Sequence, residues 1–255
     1  MSTTWDPAAY LTFADHRARP FHDLLARVAH RAPRRVVDLG CGPGNLTALL
    51  ATRWPEAVVE GLDSSAEMVG AARAAGVDAH RVDVATWVPA PDTDVVITNA
   101  VLHWVPQHRE LLPRWLAALP PGADLALQVP GNFDAPSHIL AGEIARGHGV
   151  DLPARSPVAE PAEYAALLAA TGAEVDVWET TYLHRLTGPD PVLEWIASTA
   201  LRPVRDALNG RDPTGAAYAA FRADLAPRLR AAYPAQPDGT TWFPFRRIFA
   251  VARLG

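Results

Sequence analysis

"VVDLGCGPGN", residues 36–45, is an apolar run interrupted by Asp38 that passes into three glycines in five positions. Such a run reads as a buried strand entering a helix through a tight turn. Its neighbours extend the pattern. "RRVVDL" predicts the strand, "GNLTALLATRWP" the helix after it, and "AVVEGLD" a second strand. "SAEMVGAARAAG" predicts a helix opened by Ser64 or Ser65 and stopped by Gly76. "VDAHRVDV", "TDVVITNA" and "ADLALQVP" supply further short β-rich runs. Strands alternating with helices predict an α/β fold, a doubly wound and mostly parallel sheet covered on both faces.

Both ends of the chain depart from that alternation. "PAAYLTFADHRARPFHDLLARVAHRA" has helical spacing, with Pro20 expected to divide it into two helices. Beyond residue 130, "AEVDVWETTYLHRL" and "TWFPFRRIFAVARL" predict a final antiparallel strand pair, and residues 190–232 read as helices between them. The expected plan is one domain over 1–255. It comprises an N-terminal helical lid (1–32), a cofactor-binding core (33–131), the rest of the core (132–188), a helical cap insertion (189–236) and the last strand (237–255).

Composition narrows the function. The 255 residues are 49% hydrophobic and 20% charged, ordinary for a soluble globular protein. A net charge of −5, from 28 acids against 23 basic residues, argues against a nucleic-acid partner. No apolar run approaches the roughly 20 residues of a membrane helix, and the start "MSTTWDPAAY" does not read as a signal peptide. One cysteine forbids an internal disulfide and a paired-cysteine metal site, so no metal is expected. These features predict a cytoplasmic protein with no membrane partner; the chain is expected to be monomeric or weakly associating.

In open α/β sheets a ligand binds beyond the carboxyl ends of the strands, where the strand order reverses. Gly40, Gly42 and Gly44 allow a tight turn and close approach of a ligand. The spacing is not a dinucleotide fingerprint, because Asn45 stands where the third glycine belongs, and no lysine follows to make a phosphate loop. Asp38 is poorly placed for a pyrophosphate and well placed to accept from a cationic amine. Asp63, at the end of the second strand, can hold ribose hydroxyls. Asp83, after the third, can meet an adenine amino group.

An amine, a ribose and an adenine are the parts of S-adenosyl-L-methionine. Through "VVDLGCGPG", "GLDSS", "RVDV" and "TNAVLHW" the chain resembles the class I methyltransferase family over roughly residues 30–130. The resemblance implies the Rossmann-like sheet with an antiparallel last strand. It also implies S-adenosyl-L-methionine as cofactor, held by Asp38, Gly40, Gly42, Gly44, Asn45, Asp63, Ser64, Asp83, Val84 and Asn99. Trp5, Tyr10 and Trp104 offer aromatic faces to a sulfonium cation, while Phe13 reads rather as a core residue. By the same resemblance Arg19, in an element that closes over the cofactor, reaches the methionine carboxylate. Cys41 reads as a small packed residue.

A narrower resemblance spans the chain. "WDPAAYLTFADHRARPFHDLL", "NAVLHWVPQHRELLP", "QVPGNFDAPSH", "TALRPV" and "FRRIFAVAR" are similar to segments of the trans-aconitate 2-methyltransferases. His103 and Phe133 depart from that pattern, where glutamine and tryptophan are common. The resemblance implies methyl transfer to one carboxylate of a small polycarboxylic acid. Such an acid is already ionised at neutral pH and needs anchoring and aim, not a general base, so no catalytic acid–base residue is assigned. Arginine forks suit the anchoring. The substrate candidates are Arg202 and Arg247, with His138, Tyr182 and Trp104 beside them; Arg246 falls where the pattern varies. The alternatives are methylation of a fatty acid or a secondary metabolite, and a cofactor-binding protein without catalysis.

Overall fold

The computed structural model describes residues 14–152 and 158–255. Its seven strands are β1 (Arg35–Leu39), β2 (Val58–Asp63), β3 (Ala79–Arg81), β4 (Thr93–Asn99), β5 (Asp124–Pro130), β6 (Glu174–Leu186) and β7 (Thr241–Arg253). They form one sheet in the order β3-β2-β1-β4-β5-β7-β6. The first five run parallel, and β7 is antiparallel to β5. The order reverses between β1 and β4, which makes the loop after β1 the switch point expected from the sequence.

The chain packs as two compact units. One holds the described parts of Met1–Pro130, Ser156–Thr180 and Arg247–Gly255, and the other those of Gly131–Arg155 and Thr181–Arg246. The first is the α/β core. Strands β4 and β5 bury nearly every residue, as central parallel strands must, and Leu39, Val96, Leu125 and Leu127 pack with Leu112 and Trp115 of the helix His108–Ala118. In the second unit, helices Pro191–Ala197, Arg202–Arg211 and Ala216–Ala232 lie in the stretch read as helical, and Pro136–Gly147 contacts the last of them.

One expectation fails at the N-terminus. Pro20 does not divide two helices; it lies inside a single helix, Ala14–Leu25. An interior proline costs about 3 kcal/mol. Phe21, Leu24 and Leu25 directly after it are buried, and burying three such side chains is worth roughly 5–9 kcal/mol. Tertiary packing wins over local propensity.

Candidate active site

The glycine loop is fastened to β2. Gly40 N and Cys41 N both donate to Leu62 O, at 2.6 and 3.0 Å. Gly40, Gly42 and Gly44 all have positive φ, but they serve different ends. A Cβ on Gly40 would sit 2.1 Å from Val101 Cγ2, and one on Gly44 would sit 2.9 Å from Ala72 Cβ. A Cβ on Gly42 would meet nothing within 4 Å. Gly40 and Gly44 therefore let the core close behind the loop, while Gly42 presents bare backbone to open space. Cys41 is buried against Gly61, and burial raises its thiol pKa, so it is no nucleophile.

Two carboxylates stand beside the loop. Asp38 is 3% exposed, and burial lifts its carboxyl to about 7 against the lowering effect of the Thr47 hydroxyl. That hydroxyl donates to Asp38 Oδ2 at 2.6 Å, and the nearby Asp63 charge pushes Asp38 up further. Asp63 accepts from Gly42 N at 3.0 Å through Oδ2 and from Ser65 N at 2.8 Å through Oδ1. It thus links the loop to the start of the helix Ala66–Ala74, which Ser65 caps. Burial raises the Asp63 pKa as well, opposed by these backbone donors. Two acids whose pKa burial raises, beside an open backbone cradle, suit a ligand that brings cationic and hydroxyl donors. Asp83 is exposed and caps the turn Val84–Thr86, its Oδ1 accepting from Ala85 N at 2.9 Å. Asn45 and Ser64 are exposed, and Val84 is buried.

The sheet adds a feature that the sequence reading missed. Register places Asp38 beside Ile97, Asn99 beside Gln128, Gln128 beside Phe249, and Arg247 beside Pro130. Since side chains alternate across a strand, Asp38, Asn99, Gln128 and Arg247 share one face. Three strand spacings, about 14 Å, separate the first strand of this row from the last. Arg247 is 5% exposed and its Nη1 donates to Gln128 Oε1 at 3.2 Å. Asn99 Oδ1 and Gln128 Nε2 are buried with no hydrogen-bond partner. The row therefore runs from a carboxylate, through an open acceptor and an open donor, to a guanidinium. Each open buried polar atom costs about 1–3 kcal/mol, a cost that a bound ligand would relieve. Just past Asn99, Ala100 holds φ +59, a conformation strained for a residue with a Cβ. Trp104 lies in the turn that follows, 39% exposed, its ring 4.8 Å from that of His103.

The other candidates are spread. Arg202, in the second unit, opens the helix Arg202–Arg211 and is 5% exposed; burial lowers its pKa, and Arg205 lowers it further. A buried cation at the positive end of a helix is costly. Also in that unit, the His138 ring stands edge-on to Phe133 at 5.6 Å, with Nδ1 3.2 Å from Ser137 Oγ. Tyr182 is 2% exposed and stacks parallel to His184, which stacks in turn on Trp195. Arg246 faces away from Arg247, as neighbours on a strand must. It lines a cavity of about 550 Å³ within the second unit, together with Asn132, Tyr233 and Trp242. Arg19 is an exposed residue of the helix Ala14–Leu25. Trp5, Tyr10 and Phe13 lie outside the described residues. Among the described residues no group of His, Cys, Asp and Glu could hold a metal ion, and no helix is long and apolar enough to cross a membrane.

Comparison with known proteins agrees with this geometry. A family model described as a methyltransferase domain matches residues 13–176. The solved structure of the YcgJ protein from Bacillus subtilis superposes with a TM-score of 0.60 at 14% identity, covering 92% of this chain and 98% of that one. Phosphoethanolamine N-methyltransferase 2 of Haemonchus contortus, solved in complex with S-adenosyl-L-methionine, gives 0.55 at 15% identity over 93% of this chain and 53% of that one. At such identities the likeness concerns the fold. Fold, loop and family model define an S-adenosylmethionine-dependent methyltransferase. The trans-aconitate 2-methyltransferase of Rhodococcus jostii (strain RHA1) is 60% identical over 257 residues, 98% of this chain and 99% of its own. That of Mycobacterium tuberculosis (strain ATCC 25177 / H37Ra) is 54% identical over 98% of this chain and 97% of its own. The chain belongs to the trans-aconitate 2-methyltransferase family.

Proposed function

We propose that the protein methylates one carboxylate of trans-aconitate or a closely similar small polycarboxylic acid, releasing its monomethyl ester. The observation that carries this reading is the polar row on one face of the sheet, negative at Asp38 and positive at Arg247. Its two ends suit the two reactants, a cationic methyl donor and an anionic acceptor.

Gly42 and Asp63 form the bed for the cofactor, and Asp38 and Asn99 accept hydrogen bonds from its amino-acid portion. Ser64, Asp83 and Val84 lie on the nucleoside side. When bound, S-adenosylmethionine supplies a methyl group on a sulfonium, which departs as a neutral thioether. Arg247 anchors a carboxylate of the acceptor that is not methylated. The reacting carboxylate needs no base, since it is ionised well below neutral pH. The protein's contribution is alignment and exclusion of water. A base-driven reaction on a phenol or amine would need a positioned proton acceptor. The buried His108 does not serve as one, since both its ring nitrogens are engaged, Nδ1 with Val105 O at 2.9 Å and Nε2 with the Tyr164 hydroxyl at 3.0 Å.

The remaining parts of the reading follow. The chain works as one methyltransferase domain. It acts as a monomer in the cytoplasm, and its net charge of −5 disfavours nucleic acid as a substrate.

The test is an activity panel with S-adenosylmethionine and trans-aconitate, cis-aconitate, isocitrate, citrate and a medium-chain fatty acid, with the methyl ester read by mass spectrometry. Turnover confined to tricarboxylates supports the reading. Turnover of the fatty acid alone overturns it.

A further inference from the structure

We propose that Gln128 is a specificity-determining residue of this reaction: it aims Arg247 at the acceptor and itself donates to the same carboxylate. The proposal rests on the polyacid reading above. It begins with burial, since Gln128 is fully buried in the middle of β5, yet it carries an amide among strand residues that are otherwise apolar apart from Asp124. A glutamine in that position costs stability unless both ends of the amide are satisfied.

Only one end is. A guanidinium has no acceptor, so the atom facing Arg247 Nη1 must be the amide oxygen, and the amide cannot be flipped. The nitrogen is thereby committed to the other direction, where it has no partner. An unsatisfied buried donor held beside an arginine on the same sheet face is a site for an anion. A planar carboxylate could accept from the Arg247 fork and from Gln128 Nε2 together.

The choice of amide over acid has a further consequence. A glutamate at this position would hold Arg247 in a similar place, but its charge would offset that of the guanidinium and repel an incoming carboxylate. An amide fixes the geometry without adding a negative charge that would repel the acid. An apolar residue of the same length would remove the oxygen that orients Arg247 and the nitrogen that meets the acceptor. On its own face of β5 the neighbours of Gln128 are Ala126 and Pro130, buried and apolar, so nothing else on that face of the strand calls for an amide. The requirement comes from the ligand.

The experiment compares wild type with Gln128→Glu and Gln128→Met, on the full chain, with the acid that the panel identifies. For Gln128→Glu the Michaelis constant for the acid should rise at least tenfold. Cofactor affinity should stay within about twofold and the melting temperature should hold or rise, because a buried ion pair has replaced a neutral contact. The Michaelis-constant penalty should shrink as pH falls and the new carboxyl protonates, beyond any change seen in wild type. Gln128→Met should raise the Michaelis constant for the acid at least tenfold with cofactor binding retained. A purely structural Gln128 would show falling melting temperature and falling cofactor affinity together, with no change in pH profile, and that outcome overturns the proposal. So does an unchanged Michaelis constant in either folded variant. If wild type turns over no acid, the polyacid reading fails as well. If wild type is active on tricarboxylates and the variants match it, only the Gln128 inference fails.

Discussion

The Thr47 hydroxyl reaches across from the first helix after β1 to donate to Asp38 Oδ2 at 2.6 Å, inside a site with almost no exposed surface. That single bond does not offset burial, and Asp38 titrates near 7, well above the ordinary aspartate value of about 3.9. The folded state therefore holds a proton that the unfolded chain has lost between about pH 4 and 7. Stability attributable to this group falls as pH rises through that window and levels off above it. A cationic ligand prefers the ionised form, so cofactor affinity should follow the opposite course. Calorimetric titration should show binding about tenfold weaker at pH 6 than on the plateau above pH 8. In Asp38→Asn the slope should vanish and affinity should be low throughout. A wild-type affinity flat from pH 6 to 8 would count against ionised Asp38 as a cofactor contact.

The glycines separate folding from binding. Gly40→Ala forces a Cβ to within 2.1 Å of Val101 at a φ of +79, so roughly 2–5 kcal/mol of stability should be lost in a denaturant melt. Gly42→Ala sits at φ +56 with open space around its Cβ, so the folding loss should be only about 1–2 kcal/mol. Cofactor affinity in that variant should nonetheless fall at least tenfold. The reverse ordering would mean that the open face of Gly42 is not the cradle.

Arg247→Ala should raise the Michaelis constant for the acid by tenfold or more and leave the cofactor dissociation constant nearly unchanged. Arg247→Lys should restore little, because an ammonium lacks the planar fork and cannot reproduce the contact to Gln128 together with a carboxylate. Equal losses of acid and cofactor binding would instead identify a packing arginine.

Asp63→Ala removes the acceptor for both Gly42 N and Ser65 N. Leaving these partly buried donors without their acceptor costs about 1–3 kcal/mol, and the loosened loop should weaken cofactor binding as well. Asp63→Asn keeps one oxygen acceptor and should fall between alanine and wild type in both measurements.

Much of the core was legible because its signals are local. Alternating apolar runs announce the parallel strands, and the glycine triplet after an acid announces the switch point. What escaped is non-local. Gln128 and Arg247 lie 119 positions apart, and only the antiparallel return of β7 beside β5 joins them. Nor could local rules show that Pro20 sits within a continuous helix, because the apolar face behind it decides the matter. The three glycines looked alike in sequence, and their division of labour needed the positions of Val101 and Ala72. Asp83 read as a strand-end acid, yet one of its oxygens is already spent on a turn.

Arg246 and Arg247 are chemically identical neighbours with opposite outlooks, so the site depends on parity rather than on composition. Inserting or deleting one residue in the 241–246 stretch, with the rest of β7 held in place by its pairing with β5, would exchange the faces of everything ahead of Arg247. A shift of the pairing itself by one position would instead set Arg246 opposite Pro130, where Arg247 now stands, and turn Arg247 the other way. A two-residue change in the same stretch would restore the original outlook. Length variation among functional relatives should therefore come in even steps across this strand, a rule that can be read by counting letters.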